Sequence, residues 1–127
     1  MKPEVLEWIA KAEADLRTAR REAAASEWPN FDAACFHAQQ CAEKYLKARL
    51  VAGHVSFPRI HDLEALLNLV LPLEPDWEPL RGDLQQLTDM AVEVRYPGLT
   101  ADAEDAAIAL AVAERVRQVV RTALGMT

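Results

Sequence analysis

The sequence predicts an all-α fold, an antiparallel up-and-down bundle of four long helices and one short helix in a single domain over residues 1–127. Apolar residues recur at intervals of three and four along most of the chain, and no segment alternates as a half-buried strand would. The seven prolines and four glycines fall mainly between these periodic stretches rather than inside them. Hydrophobic residues make up 51% of the chain, enough for one core, and a chain of this size buries about two thirds of the surface that its unfolded form exposes.

The first helix is expected from about Lys2 to Ala25. Pro3 is tolerated in its first turn, and Val5, Trp8, Ile9, Ala12, Leu16 and Ala19 form its core stripe. Glu7, Lys11, Arg17 and Arg21 keep the other face solvated. Trp28-Pro29 breaks the pattern, because a residue before proline is pushed out of the helical region, and Asn30 supplies an N-cap for a second helix. That helix runs to Gly53, with Phe31, Ala34, Cys35, Ala38, Ala42, Tyr45 and Leu46 as its stripe and Arg49 along the rim. Asp62 caps a short helix bearing Leu63, Leu66, Leu67 and Val70, which Pro72 and Pro75 close. A fourth helix is expected from Asp76, with Pro79 in its first turn and Trp77, Leu80, Leu84, Leu87, Ala91 and Val94 facing inward. Pro97-Gly98 ends it. Thr100 is the candidate N-cap of the fifth helix, whose first turn holds Asp102, Glu104 and Asp105 against the positive end of the dipole. Its seam, Ala106, Leu110, Ala113, Val116, Val120 and Ala123, is smooth enough for close packing or a subunit interface.

Composition excludes several classes of function. A net charge of −6 argues against broad affinity for nucleic acid, which draws on counterion release at basic surfaces, but leaves room for a local basic patch. No apolar run approaches the ~20 residues that span a bilayer, so no membrane association is expected. Cys35 and Cys41 are six apart on a helix and point to different sides, so they are expected as free thiols of a cytoplasmic protein. A metal site among Cys35, His37, Cys41, His54 and His61 lacks the spacing that zinc motifs require, and no glycine-rich phosphate loop exists; no metal or cofactor is expected.

The most distinctive segment is the polar run from Gln39 to Lys47. Gln40, Glu43, Lys44 and Lys47 follow i, i+3, i+4, i+7 spacing, which sets them on one narrow strip. Two readings stand: an ordinary solvated face with weak intrahelical pairs, or a contact strip for a partner protein, a nucleotide or RNA.

The run Gln39-Gln40-Cys41-Ala42-Glu43-Lys44-Tyr45-Leu46-Lys47-Ala48, followed by His61-Asp62-Leu63 and by Arg95-Tyr96-Pro97, resembles the HEPN domain, and the likeness extends to Trp8 and Asp15-Leu16. The resemblance implies a helical bundle that is commonly a homodimer and is often paired with a minimal nucleotidyltransferase in a toxin-antitoxin-like system. Many HEPN domains are metal-independent ribonucleases, and others bind nucleotides or partner proteins without catalysis. The ribonuclease motif of the family is an Arg and a His four to six residues apart near the start of the last long helix. Arg95 matches the Arg by position, yet no His lies between Tyr96 and Asp102. Arg49 and His54 have the spacing but lie at the end of the second helix.

His is the side chain suited to moving the proton of an attacking 2′-hydroxyl, so the missing His argues for a module that binds a nucleotide or partner. Gln40, Glu43, Lys44 and Lys47 would supply its contacts, with His61, Arg95 and Tyr96 at a nucleotide or RNA site. The competing expectations are a ribonuclease toxin using His61 with Arg95, brought together from different segments, and a purely structural interaction domain.

Overall fold

The computed structural model describes residues 1–126. Its helices are α1 (Pro3–Ala24), α2 (Phe31–Ala52), the short α3 (Leu63–Val70), α4 (Arg81–Glu93) and α5 (Ala103–Ala123), with a 3-10 helix, Pro75–Leu80, leading into α4. No strand occurs among the described residues, and none of their helices is long and apolar enough to cross a membrane.

The bundle is built around α2, which packs against all four other α-helices. A helix so enclosed has little solvent face, and Leu46, Leu50, Tyr45, Cys35, Cys41 and Ala38 are all 0% exposed. Ala12 and Ala19 of α1 and Ala34 and Ala42 of α2 are equally buried, which lets the helix axes approach closely. The apolar face of α3, Leu63, Leu66, Leu67 and Val70, closes one side. Alanines Ala106, Ala109 and Ala113 of α5 are buried inside the chain, while Ala123 is exposed and does not extend the seam.

Caps mark most of the boundaries. Asn30 accepts a hydrogen bond from the Ala33 amide at 2.9 Å, and Asp62 accepts from the amides of Glu64 and Ala65. Two boundaries differ from expectation. The segment from Asp76 is 3-10 rather than α-helical up to Leu80, because Pro79 cannot donate its amide to an α-helical bond and the chain tightens until Arg81. Asp102, not Thr100, caps α5: it accepts from the Asp105 amide at 2.8 Å while Asp105 accepts from the Asp102 amide at 3.0 Å. This reciprocal box satisfies two amides at once, which Thr100 two residues upstream cannot match. The Ala101 amide also donates to Asp32 at 2.7 Å, tying the α4–α5 connection to the first turn of α2.

A polar clamp joins three helices. Arg117 of α5 makes a two-pronged contact with Glu13 of α1, Nε at 2.8 Å and Nη2 at 3.0 Å, and the Tyr45 hydroxyl of α2 donates to the same carboxylate at 2.8 Å. The Arg117 guanidinium holds the Glu13 carboxyl below its ordinary value of 4.5, and burial pushes the Tyr45 phenol up to about 12. Both cysteines are free; burial, reinforced by nearby carboxylates, raises Cys35 to about 11 and Cys41 to about 12.

Two outcomes follow for stability. Asp102→Ala is expected to lower unfolding free energy by about 1 kcal/mol, while Thr100→Ala leaves the urea midpoint unchanged. Because Glu13 has a lowered carboxyl pKa in the folded chain, its clamp is at full strength above about pH 4.5 and is lost as pH falls through the lower folded value. Urea unfolding of wild type and Glu13→Gln therefore shows a stability gap that is widest at neutral pH and narrows steadily in acid.

Candidate functional site

The polar run of α2 is not a solvated strip. Gln39, Glu43 and Lys47 are buried at 3%, 2% and 5% exposure, so the expectation that Gln40, Glu43, Lys44 and Lys47 share one open surface is overturned. The physical reason lies in the surroundings of α2: helices and loops cover every side of it. The four residues also separate. The Lys44 ammonium turns to α1 and donates to Asp15, which His37 also approaches at 2.8 Å. Gln40 and Lys47 gather instead on Glu43, which faces His61 in the connection to α3.

Glu43 is the hub of that second group. Lys47 Nζ donates to its Oε2 at 3.0 Å, Gln39 and Gln40 approach Oε1 at 3.4 and 3.5 Å, and His61 Nδ1 lies 3.1 and 3.2 Å from the two oxygens. The Gln39 side chain also donates to the His61 carbonyl at 2.8 Å. Backbone and ring of His61 are thus both fixed from α2. A carboxylate only accepts, so in the neutral ring Nδ1 carries the proton and Nε2 is left as an acceptor, on a side chain that is 72% exposed.

What His61 faces is the end of α4. A cavity of about 190 Å³ is lined by Gln39, His61, Asp62, Thr88, Val92 and Arg95. Thr88 accepts from the Leu63 amide at 3.4 Å and so sets the start of α3, and with it His61, against α4. The Arg95 guanidinium lies 5.5 Å from the centre of the Phe36 ring and has no carboxylate partner among the described residues. His61 and Arg95, 34 positions apart in the chain, therefore border one cavity. Tyr96 does not line it and stands 61% exposed at the end of the bundle. A smaller recess beside Cys35 and Leu99 is bordered by Glu93 and Asp105, which suit no anion.

Arg49 and His54 have separate partners, Glu74 at 2.9 Å and Lys2 at 2.6 Å. Among the described residues no three His, Cys, Asp or Glu side chains converge as a metal site requires.

The family model of the HEPN domain matches residues 5–123, nearly all of the chain. The chain belongs to the HEPN family. Solved structures agree with this. TT1696 from Thermus thermophilus is 25% identical with a TM-score of 0.77, over 95% of this chain and 98% of that one. ST0689, described as an archaeal HEPN homologue, is 28% identical with a TM-score of 0.68, over 96% and 98%. No curated protein matches the sequence. In this HEPN domain the family-like run of α2 serves mainly inward, as the support that holds His61, and the outward groups are His61 and Arg95.

Sequence reasoning missed Thr88 and Val92 at the cavity and treated Gln39 as peripheral. The i, i+4, i+8 spacing of Gln39, Glu43 and Lys47 is a signal for a shared face, but it cannot say that the face is buried. A buried charge that loses its partner costs about 3–5 kcal/mol. Lys47→Met is therefore expected to destabilise the domain by that order in urea unfolding. The double variant Glu43→Leu with Lys47→Met recovers part of the loss, since no lone carboxylate then remains.

Proposed function

We propose that this HEPN domain is a binding module for a phosphate-bearing ligand, a nucleotide or RNA, held at the cavity between His61 and Arg95. The observation that carries this reading is the pairing itself: a guanidinium without a carboxylate partner and an imidazole locked by Glu43 border one cavity. Arg95 offers a planar fork suited to phosphate oxygens, and Nε2 of His61, an acceptor in this tautomer, suits a hydroxyl or amino group of the same ligand. The net charge of −6 fits a ligand recognised at one local site rather than along a broad basic surface.

The module acts with partners in this proposal. Val92, Tyr96 and Leu99, 43%, 61% and 50% exposed, cluster in sequence around Arg95, and Val92 lines the cavity itself. Such a patch suits a second copy of the chain, and the family resemblance adds a minimal nucleotidyltransferase as the companion protein. A homodimer formed there would place two His61–Arg95 cavities near its interface.

A second reading, a ribonuclease lacking the usual motif histidine, has one specific observation in its favour. Glu43 on Nδ1 leaves Nε2 of His61 free to take the proton of a 2′-hydroxyl as that oxygen bonds to phosphorus. Arg95 would then stabilise the charge that builds on the phosphate oxygens, and the proton would pass from Nε2 to the departing 5′-oxygen as its bond to phosphorus breaks.

Calorimetric titration with AMP, and incubation with labelled RNA, test both readings. Under the binding reading Arg95→Ala weakens AMP about tenfold or more, the value of one charge-assisted contact, and RNA remains intact. Undiminished AMP binding by Arg95→Ala and His61→Ala sinks it. RNA cleavage abolished by His61→Ala, with growth arrest on expression that Arg95→Ala relieves, selects the nuclease instead.

A further inference from the structure

A larger cleft lies at the other end of the same face of α2. It measures about 700 Å³, and Lys2, Trp8, Lys47, His54, Phe57 and Arg59 are among the residues that line it. Its walls combine two kinds of surface. Trp8 and Phe57 meet edge to face with ring centres 6.2 Å apart, and both are part-exposed. The Lys47 ammonium sits 5.5 Å from the Trp8 ring centre and 5.8 Å from that of Phe57, and Lys2 and Arg59 add cations at the rim. Glu4 is the single acidic residue lining it. Arg59 is exposed and has no ion pair among the described residues. His54 is held in the left-handed backbone region, φ 59°, with Nδ1 accepting from the Lys2 ammonium at 2.6 Å. A backbone conformation of that kind costs a non-glycine residue free energy and persists where its surroundings over-determine it.

The cleft and the His61–Arg95 cavity lie along one face of α2. Gln39 lines the cavity and Lys47 the cleft, and the residues at i, i+4 and i+8 on α2, Gln39, Glu43 and Lys47, run from one to the other. Eight residues of α-helix span about 12 Å. Residues 53–62 run back along this face, placing Phe57 over Lys47 and His61 over Glu43. Lys47 thus touches both sites: its ammonium lies against the cleft's aromatic rings and holds the carboxylate that holds His61.

We infer that the cleft of Trp8, Phe57 and Arg59 is a second subsite that takes a base and its phosphate, so that the ligand of this domain is a single-stranded oligonucleotide lying from the cleft to the His61–Arg95 cavity. The inference rests on the proposed phosphate site at Arg95 and extends it. Aromatic walls accept any base by stacking, the unpaired Arg59 takes the adjoining phosphate, and neither reads sequence. A separation of about 12 Å corresponds to a few nucleotides at the ~3.4 Å spacing of a stacked strand. A mononucleotide would fill one subsite; a strand fills both.

Binding of a fluorescein-labelled eight-nucleotide single-stranded RNA, followed by anisotropy across a salt series, is compared with calorimetric binding of AMP. The expected result is that the octamer binds tighter than AMP, that Trp8→Ala and Arg59→Ala each weaken the octamer roughly 5- to 100-fold, and that Arg59→Ala leaves AMP at the Arg95 site unchanged. Arg59→Ala also lowers the slope of log affinity against log salt by about 0.7, the signature of one lost phosphate contact on a single strand. Arg59 is exposed and unpaired, so its variant folds even where Trp8→Ala does not. Equal octamer binding by wild type and Arg59→Ala overturns the inference. So does sensitivity to Arg59→Ala with none to a folded Trp8→Ala, which marks a phosphate contact at the rim with no base stacked in the cleft. Should Arg95→Ala weaken AMP and the octamer while the cleft variants do nothing, the second subsite falls and the Arg95 site stands; should Arg95→Ala change neither, both fall.

Discussion

The arrangement depends on one buried ion pair, Glu43 with Lys47, one turn apart on the helix that every other α-helix touches. Two charges withdrawn from water are costly unless their remaining hydrogen-bonding capacity is met. Here it is met from several directions: Gln39, Gln40 and His61 complete the carboxylate, and the rings of Trp8 and Phe57 flank the ammonium. Those partners come from α1, from α2 itself and from the connection to α3. The pair therefore fixes where residues 53–62 cross α2 and which way His61 points, and the first turns of α1 are drawn to the same place through Trp8.

Apolar periodicity made most of the bundle legible. The stripes of α1 and α4 and the buried face of α3 are those that helical spacing predicts, and Asn30 and Asp62 cap where their side chains suggest. Local chemistry decided the exceptions. Thr100 and Asp102 are both acceptable caps in isolation, and only the return bond from Asp105 separates them. The polar run of α2 misled for a deeper reason. Helical spacing tells which residues share a face, and a polar face is ordinarily assigned to water; whether water reaches it depends on what packs there. Nothing in the run itself says that His61, 18 positions beyond Glu43, returns to cover it.

The site is less legible than the fold because it is assembled from remote pieces. His61 and Arg95 could be singled out by chemistry, but their common cavity arises from Thr88 setting the start of α3 against α4. Arg59 and Lys2 carry no local signal, and their importance lies in what the aromatic pair beside them makes of the cleft. TT1696 and ST0689 share the fold at 25% and 28% identity, and a shared fold leaves chemistry to the particular side chains at the surface. In this chain the inward half of the family-like run is scaffold, and the residues it supports face solvent.

Cys35 and Cys41 sit on α2 with no exposed surface, and their thiols are raised to about 11 and about 12. Only the thiolate attacks an alkylating or oxidising reagent, so in the closed bundle both sulfurs are silent. Cys35 borders the recess beside Leu99, whereas Cys41 lies where α2 is enclosed by its neighbours and cannot be reached until helices separate around it. Cys41 is therefore a built-in clock: the rate at which a thiol reagent consumes it follows how often the middle of the bundle comes apart.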